Sequence, residues 1–371
     1  MKLTLEKDAI LNGLNIVSKA IPSKTTMSIL ECILVDASAG EIKFTANDTE
    51  MGIETKVTGI ILEKGKIALE AKLFYEIVRK LSTEDAAITI ESDERFNTTI
   101  SCGSSVFNIP GRDGEEFSYL PYIERDHSIS LSQFTLKEAI RQTIFSISVN
   151  DSNKMMSGEL FEVNGNELRV VSLDGHRISI RKMILKESYD PIKVIVPGKT
   201  LSEISKILNG DNEKEVQIYF SRNHILFEFD DTIMVSRLIE GEYFKIDNML
   251  SSDYETKVTV NKKEFLDNID RAMILIRESD RKPIILNVTD MEIGLRVKSA
   301  FGSMNAQISA RKTGRDIMIA FNPKFLVDAL RAIDDEEVDL YMMNPKSPCF
   351  IRDEEGQYIY LILPVNFIAE N

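Results

Sequence analysis

The chain has 371 residues, a mass near 42.0 kDa and a formal charge of −14 from 45 basic and 59 acidic side chains. At roughly 100–200 residues per domain this length implies two to three domains. Hydrophobic residues are 43% and charged residues 28% of the chain, the balance of a water-soluble globular protein. The acidic total argues against an ordinary basic nucleic-acid binder and against a polybasic membrane-surface protein. No run of about 18 apolar residues suggests a transmembrane helix, and Glu6 and Asp8 precede any apolar stretch, unlike a secretory signal. Cys32, Cys102 and Cys349 lie far apart, as do His127, His176 and His224, so a local metal site is not expected and buried reduced thiols are.

In chain order the first predicted element is a short strand, Leu3-Thr4-Leu5, running into a helix over 6–14. The same unit returns at Ser130-Leu131 followed by 132–140, and at Val258-Thr259-Val260 followed by 261–269. Leu5, Leu131 and Val260 align. So do Ile10, Leu136 and Phe265, and then Leu14, Ile140 and Ile269, with the last spacing that of one helical face. Ser132 and Asn261 stand where a helix N-cap belongs. A middle strand repeats as 42–45, 168–171 and 293–297. A second strand-helix unit repeats as 67–69 into 72–81, 194–196 into 199–208, and 318–320 into 324–333. Alternating strands follow at 87–90, 216–220 and 338–341.

Offsets of 125–129 residues hold throughout, which implies a threefold duplication of a domain-sized unit. The polar stretches 123–127 and 250–254 are too short to be free linkers, so the units are expected to pack together. The boundaries read 1–125, 126–252 and 253–371. The fold class is α+β, with two helices packed on antiparallel sheet in each repeat.

Charge is distributed unevenly. The six helical stretches carry a net +8 and the remainder −22. Lys72, Lys199 and Lys324 recur at the same helix start. Lysine there opposes the helix macrodipole, so its recurrence favours a shared role for one face over three unrelated surface lysines. A polyanion would be met by the helices and repelled elsewhere. Asp174-Gly175-His176-Arg177 could supply a general base with a carboxylate partner. No GxSxG, glycine-rich phosphate loop or HExxH accompanies it, and a turn after the strand 168–173 is the preferred reading. At the C-terminus 358–362 read as a core strand. Pro364 cannot donate to a sheet, so the chain should leave there, with Val365 to Ile368 on the surface or lining a groove.

Leu173-Asp174-Gly175-His176-Arg177, Val194-Ile195-Val196-Pro197, Ser236-Arg237-Leu238-Ile239-Glu240-Gly241 and Leu361-Ile362-Leu363-Pro364, in this order on a threefold repeat, resemble the beta subunit of bacterial DNA polymerase III, the sliding-clamp family. The resemblance spans the chain. It implies three domains of the DNA clamp type, closing as a head-to-tail homodimer into a six-domain ring around double-stranded DNA, without sequence preference and without catalysis of its own. It further implies no cofactor or metal and a cytoplasmic, nucleoid-associated location. Partners would be the replicative DNA polymerase alpha subunit, the clamp loader, other polymerases and repair proteins, which share one hydrophobic pocket.

Carried over by position, the pocket comprises Met156, Leu173, Gly175, His176, Arg177, Met249, Phe325, Leu363, Pro364 and Val365. DNA-facing positions are Lys24, Lys72, Lys154, Lys199 and Lys324, and the dimer contact joins Phe107 and Ile109 to Ile274 and Leu275. Many relatives have Phe-Pro-Asp-Tyr where this chain has Tyr243-Phe244-Lys245-Ile246. Many end in Met-Pro-Met-Arg-Leu, where it has Leu363 to Phe367 and a further tail, so its partner preference is expected to differ. An enzyme using Asp174 and His176, or a scaffold that does not encircle DNA, remain the alternatives to this reading.

Overall fold

The computed structural model describes residues 1–82, 87–149, 153–251, 253–277 and 282–367. Ser252, at the second expected boundary, and the tail 368–371 lie outside the described residues. Six α-helices are described: α1 (Lys7–Val17), α2 (Ala71–Lys80), α3 (Gln133–Arg141), α4 (Gly198–Ile207), α5 (Lys262–Met273) and α6 (Pro323–Ala332). Two fall in each repeat, close to the positions that the apolar spacing predicts.

Their starts have local causes. Glu70 turns its carboxylate onto the amides of Lys72 (3.0 Å) and Leu73 (2.6 Å), an N-cap that an ordinary acidic side chain conceals in sequence. Asn261 accepts from the Glu264 amide at 3.0 Å and Asn322 from Lys324 at 3.1 Å, with Pro323 opening α6. Ser132 directly precedes α3, whose first amides, from Gln133 and Phe134, donate to the carbonyls of Lys214 and Asp211.

By packing, the chain forms one unit from Met1–Phe134 with Lys206–Leu238, and another from Thr135–Ser205 with Ile239–Asn371, so the central repeat supplies both. The sheets explain this division. In the first unit a nine-stranded antiparallel sheet runs in the order Arg112–Asp113, Lys66–Glu70, Cys32–Asp36, Lys43–Asn47, Met51–Lys56, Thr232–Arg237, His224–Phe229, Glu215–Phe220 and Ser128–Ser132. Strands of the first repeat thus hydrogen-bond directly to strands of the central one, through Met51–Lys56 and Thr232–Arg237. A five-stranded sheet completes this unit, from Gly59–Glu63 through Lys2–Leu5, Ile88–Ser92 and Asn97–Cys102 to the edge strand Ser105–Pro110.

The second unit holds a ten-stranded sheet: Gly158–Leu173, Arg177–Pro197, Tyr358–Ile362, Cys349–Arg352, Glu337–Met342, Thr256–Asn261, Gly302–Gly314, Glu292–Ser299, Ile284–Val288 and Ile317–Phe321. Here the join between repeats is Arg177–Pro197 beside Tyr358–Ile362.

Amphipathic helices cover these sheets. In the first unit α1 buries Ile10, Leu14 and Val17 and α2 buries Phe74, Ile77 and Val78, with the Phe44 and Phe74 rings 6.0 Å apart. Gly13 permits the close approach of α1, since a Cβ there would stand 2.6 Å from Val57 Cγ2. In the second unit Phe265, Ile269, Leu326 and Leu330 are fully buried with Leu286, Leu295 and Ile319. Full burial of such side chains stabilises by roughly 1.5–3 kcal/mol each, and it fixes the helix starts on which the recurrent lysines stand.

Candidate functional site

Asp174 builds the turn after the strand Gly158–Leu173. Its Oδ1 accepts from the amides of His176 (3.0 Å) and Arg177 (3.2 Å), and Gly175 takes a left-handed φ of 86°. Its Oδ2 accepts from Arg177 Nε at 3.0 Å. The carboxylate therefore holds main chain and guanidinium, and the imidazole of His176 is exposed beside it. This is the geometry of a turn, as the sequence reading preferred over acid-base chemistry.

Arg177 is buried to 7% exposure and fully engaged. Its Nη1 donates to Asp328 Oδ2 at 2.7 Å and its Nη2 to the Phe145 carbonyl. The guanidinium lies 4.5 Å from the Phe325 ring centroid and 5.5 Å from that of Phe145. A satisfied arginine of this kind forms a rigid wall, because no polar atom is left to seek water.

Against that wall the second unit opens a groove of about 500 Å³, lined almost wholly by apolar atoms. Met156, Leu173, Gly175, His176, Arg177, Met249 and Leu363 come together here, seven of the ten residues expected from the sequence. Phe325 acts at one remove, under Arg177 and 6.0 Å from the His176 ring. Pro364 and Val365 lie just past the lining side chains. The strand ends at Ile362, Leu363 donates to the His176 carbonyl at 2.9 Å, and Val365 donates to Ala320 at 2.8 Å, which carries the chain away. Ile368 lies outside the described residues.

Ile178, Phe244, Pro348 and Leu361 also line the groove; Phe244 and Leu361 stand in stretches singled out in the sequence without being assigned to the pocket, and Ile178 and Pro348 stand in none. Leu361 was legible as a core-strand residue whose alternation could face either way, whereas no strand was expected at Ile178. Phe244 sits in the Tyr243–Ile246 stretch and meets the Tyr243 ring edge-on, with centroids 5.8 Å apart at 80°. Pro348 has no signal in sequence. Met249 is 54% exposed and Leu363 37%, so an apolar surface stands open to solvent, the usual mark of a binding site.

Behind the groove Tyr243 is buried, and its hydroxyl donates to the Val171 carbonyl at 3.3 Å. Glu159 is fully buried too, and burial pushes its carboxyl well above the ordinary range. Burial, together with that same carboxyl, pushes the Tyr243 phenol up.

The expected DNA-facing lysines are all exposed. Lys72, Lys199 and Lys324 are each the second residue of their helix, while Lys24 and Lys154 lie in the segments following α1 and α3. Of the expected dimer residues, Ile274 is 82% exposed at the end of α5, and Leu275 is half-buried against the core. Phe107 is exposed on the edge strand Ser105–Pro110, whereas Ile109 is already buried within the chain.

A threefold repeat of two helices on antiparallel sheet, carrying an apolar groove open to solvent, defines a binding protein. Comparison supplies the family. The profile of the DNA polymerase III beta subunit N-terminal domain matches residues 1–121, that of its central domain 130–245 and that of its C-terminal domain 248–366. The beta sliding clamp of Staphylococcus aureus is 33% identical, over 98% of this chain and 99% of its own. Among solved structures, a putative DNA polymerase III beta subunit from Eubacterium rectale is 64% identical with a TM-score of 0.96, covering 99% of both chains. The Bacillus subtilis DNA polymerase sliding clamp is 33% identical with a TM-score of 0.95, over 99% of this chain and all of that one. The chain belongs to the DNA polymerase III beta subunit family, and its role is that of a DNA sliding clamp, a processivity factor with no catalytic activity of its own. No described helix is long and apolar enough to cross a membrane.

Proposed function

We propose that two copies of this chain, with domains 1–125, 126–252 and 253–371, join head to tail around duplex DNA in the cytoplasm. The groove then holds peptides of the replicative polymerase alpha subunit, the clamp loader, other polymerases and repair proteins. The observation that carries closure is a strand register used twice. Met51 faces Ser236 in one sheet and Arg177 faces Ile362 in the other, an equal step of 126 residues on both strands. A third step would set Ser303 opposite Pro110 of a second copy.

Both strands have a free edge for it among the described residues. Ser105–Pro110 ends its sheet, and Gly302–Ser309 is paired on one side only. Ile274 and Leu275 belong beside this edge, since Leu275 Cδ2 would lie 3.7 Å from a Cβ at Gly302. A heterologous contact of this kind makes a ring when its rotation closes. Lys24, Lys72, Lys154, Lys199 and Lys324 would meet phosphates weakly. Encirclement needs no tight contact, and the acidic remainder of the chain discourages sticking.

Met156, Met249 and Phe244 give the groove an adaptable apolar lining, which suits several partners at one site. The expected ligand is a short extended peptide with a glutamine and one or two large apolar side chains. The test is removal of residues 363–371 followed by titration of a labelled Gln-Leu-x-Leu-Phe peptide. Because the last strand ends at Ile362, the truncated protein should fold and bind at least about tenfold more weakly, as loss of a groove-filling leucine implies. Undiminished affinity would remove the groove from the proposal.

A further inference from the structure

The turn at the groove has a twin 126 residues earlier, in the first unit. Asp48 Oδ1 accepts from the amides of Glu50 (3.1 Å) and Met51 (2.7 Å), as Asp174 does from His176 and Arg177. Asp48 donates its own amide to the Met51 carbonyl at 2.9 Å, the counterpart of Asp174 to Arg177. Thr49 takes φ 77° where Gly175 takes 86°. Arg237 donates to the Glu50 carbonyl at 2.8 Å, where Leu363 donates to His176. The first unit thus repeats these main-chain hydrogen bonds of the groove one for one.

The space inside that frame differs. The twin cavity is about 230 Å³, and the chain's own segment 118–121 forms part of its wall. Gly52 stands where the open groove has Ile178, and Leu120 occupies the room that its missing side chain leaves. A Cβ on Gly52 would lie 2.0 Å from Leu120 Cδ2. The segment is latched as well as inserted. Asn47 Nδ2 donates to the Ser118 carbonyl at 2.9 Å, and Leu120 packs with Ile123, Leu226 and Val235. In the second unit the residue aligned with Leu120 is Ile246, which is buried in the core and leaves its groove open.

We propose that the first unit carries a latent peptide groove of the same design, closed by this chain's own Leu120. The ligand it would take is an extended peptide bearing a leucine followed by proline, the chemistry of the segment that fills it. The cap accounts for the groove being open in the second unit and closed at its twin in the first. Only the idea that such a frame accepts peptides rests on the function proposed above.

The test uses the full chain and a labelled peptide with the sequence of residues 117–123. Leu120→Gly empties the seat over Gly52 and Asn47→Ala, in the same chain, releases the Ser118 carbonyl so that the segment can leave; Leu120→Ala with Asn47→Ala serves if the glycine variant loses its thermal transition. The opened protein should bind one peptide per chain, at least about tenfold more tightly than the unaltered protein, and a peptide with alanine for leucine should lose that gain. A folded variant that binds no better than the unaltered protein overturns the proposal, as does equal binding to both peptides. A Gln-Leu-x-Leu-Phe peptide titrated in parallel reports on the open groove. Its failure to bind the unaltered protein would remove the function assigned to the second unit while leaving the cap to be judged by the first peptide alone.

Discussion

Glu159 occupies a position that no pattern of spacing announces. It follows Gly158 at the start of a long strand, and a glutamate there reads as a solvated side chain, yet none of it is exposed. Burial raises its carboxyl well above the ordinary range, so the folded chain holds a proton that the unfolded chain releases above about pH 4.3. Stability from this group is complete below that pH and declines as pH rises toward the folded value. Glu159→Gln should therefore raise the melting temperature at about pH 8 and lose that advantage near about pH 4. A constant difference across the range would show that Glu159 ionises in the folded protein as freely as in the unfolded one. At this scale sequence reading is weakest. Glu159, Phe244 and Pro348 matter through what surrounds them, whereas Asp174 and Gly175 were legible because a turn is a local event.

Helices and strands were legible for a physical reason: their apolar faces must recur with the period of the backbone, and three copies of each pattern reinforce one another. All six helices lie where the spacing places them. What escaped was the cap at Glu70, since acidic residues are common at helix starts without closing an amide, and the pooling of strands into two units, since apolar alternation along a strand does not say which strand lies beside it. The recurrent lysines belong to this scale, because each is set by its helix start. Changing Lys72, Lys199 and Lys324 together to Glu should weaken binding to a short linear duplex. It should also flatten the salt dependence by about 0.9 for each phosphate that the chain no longer neutralises. An unchanged slope would mean that these helix starts do not meet DNA. Their exposure and the packing of α2, α4 and α6 argue that the fold survives the change.

For the whole molecule the decisive question is assembly. Ile274 is 82% exposed, so replacing it removes little from the core of the chain. Ile274→Asp should leave thermal unfolding of the single chain nearly unchanged while shifting the sedimenting species toward 42.0 kDa, because a carboxylate trapped in an apolar contact is costly. A full dimer at low micromolar concentration would place the contact elsewhere. The strand joins within each unit have a further consequence for how such a protein can change over time. At both joins the register is carried by amides and carbonyls, Arg237 to Glu50 and Leu363 to His176, which every residue except proline can supply in full. Exposed side chains along the seam can then change while the seam itself stays fixed, whereas buried ones such as Ile178, Leu361 and the Thr55–Thr232 hydroxyl pair are held by their surroundings. A chain built this way can share only a third of its residues with the Bacillus subtilis clamp and still superimpose on it with a TM-score of 0.95.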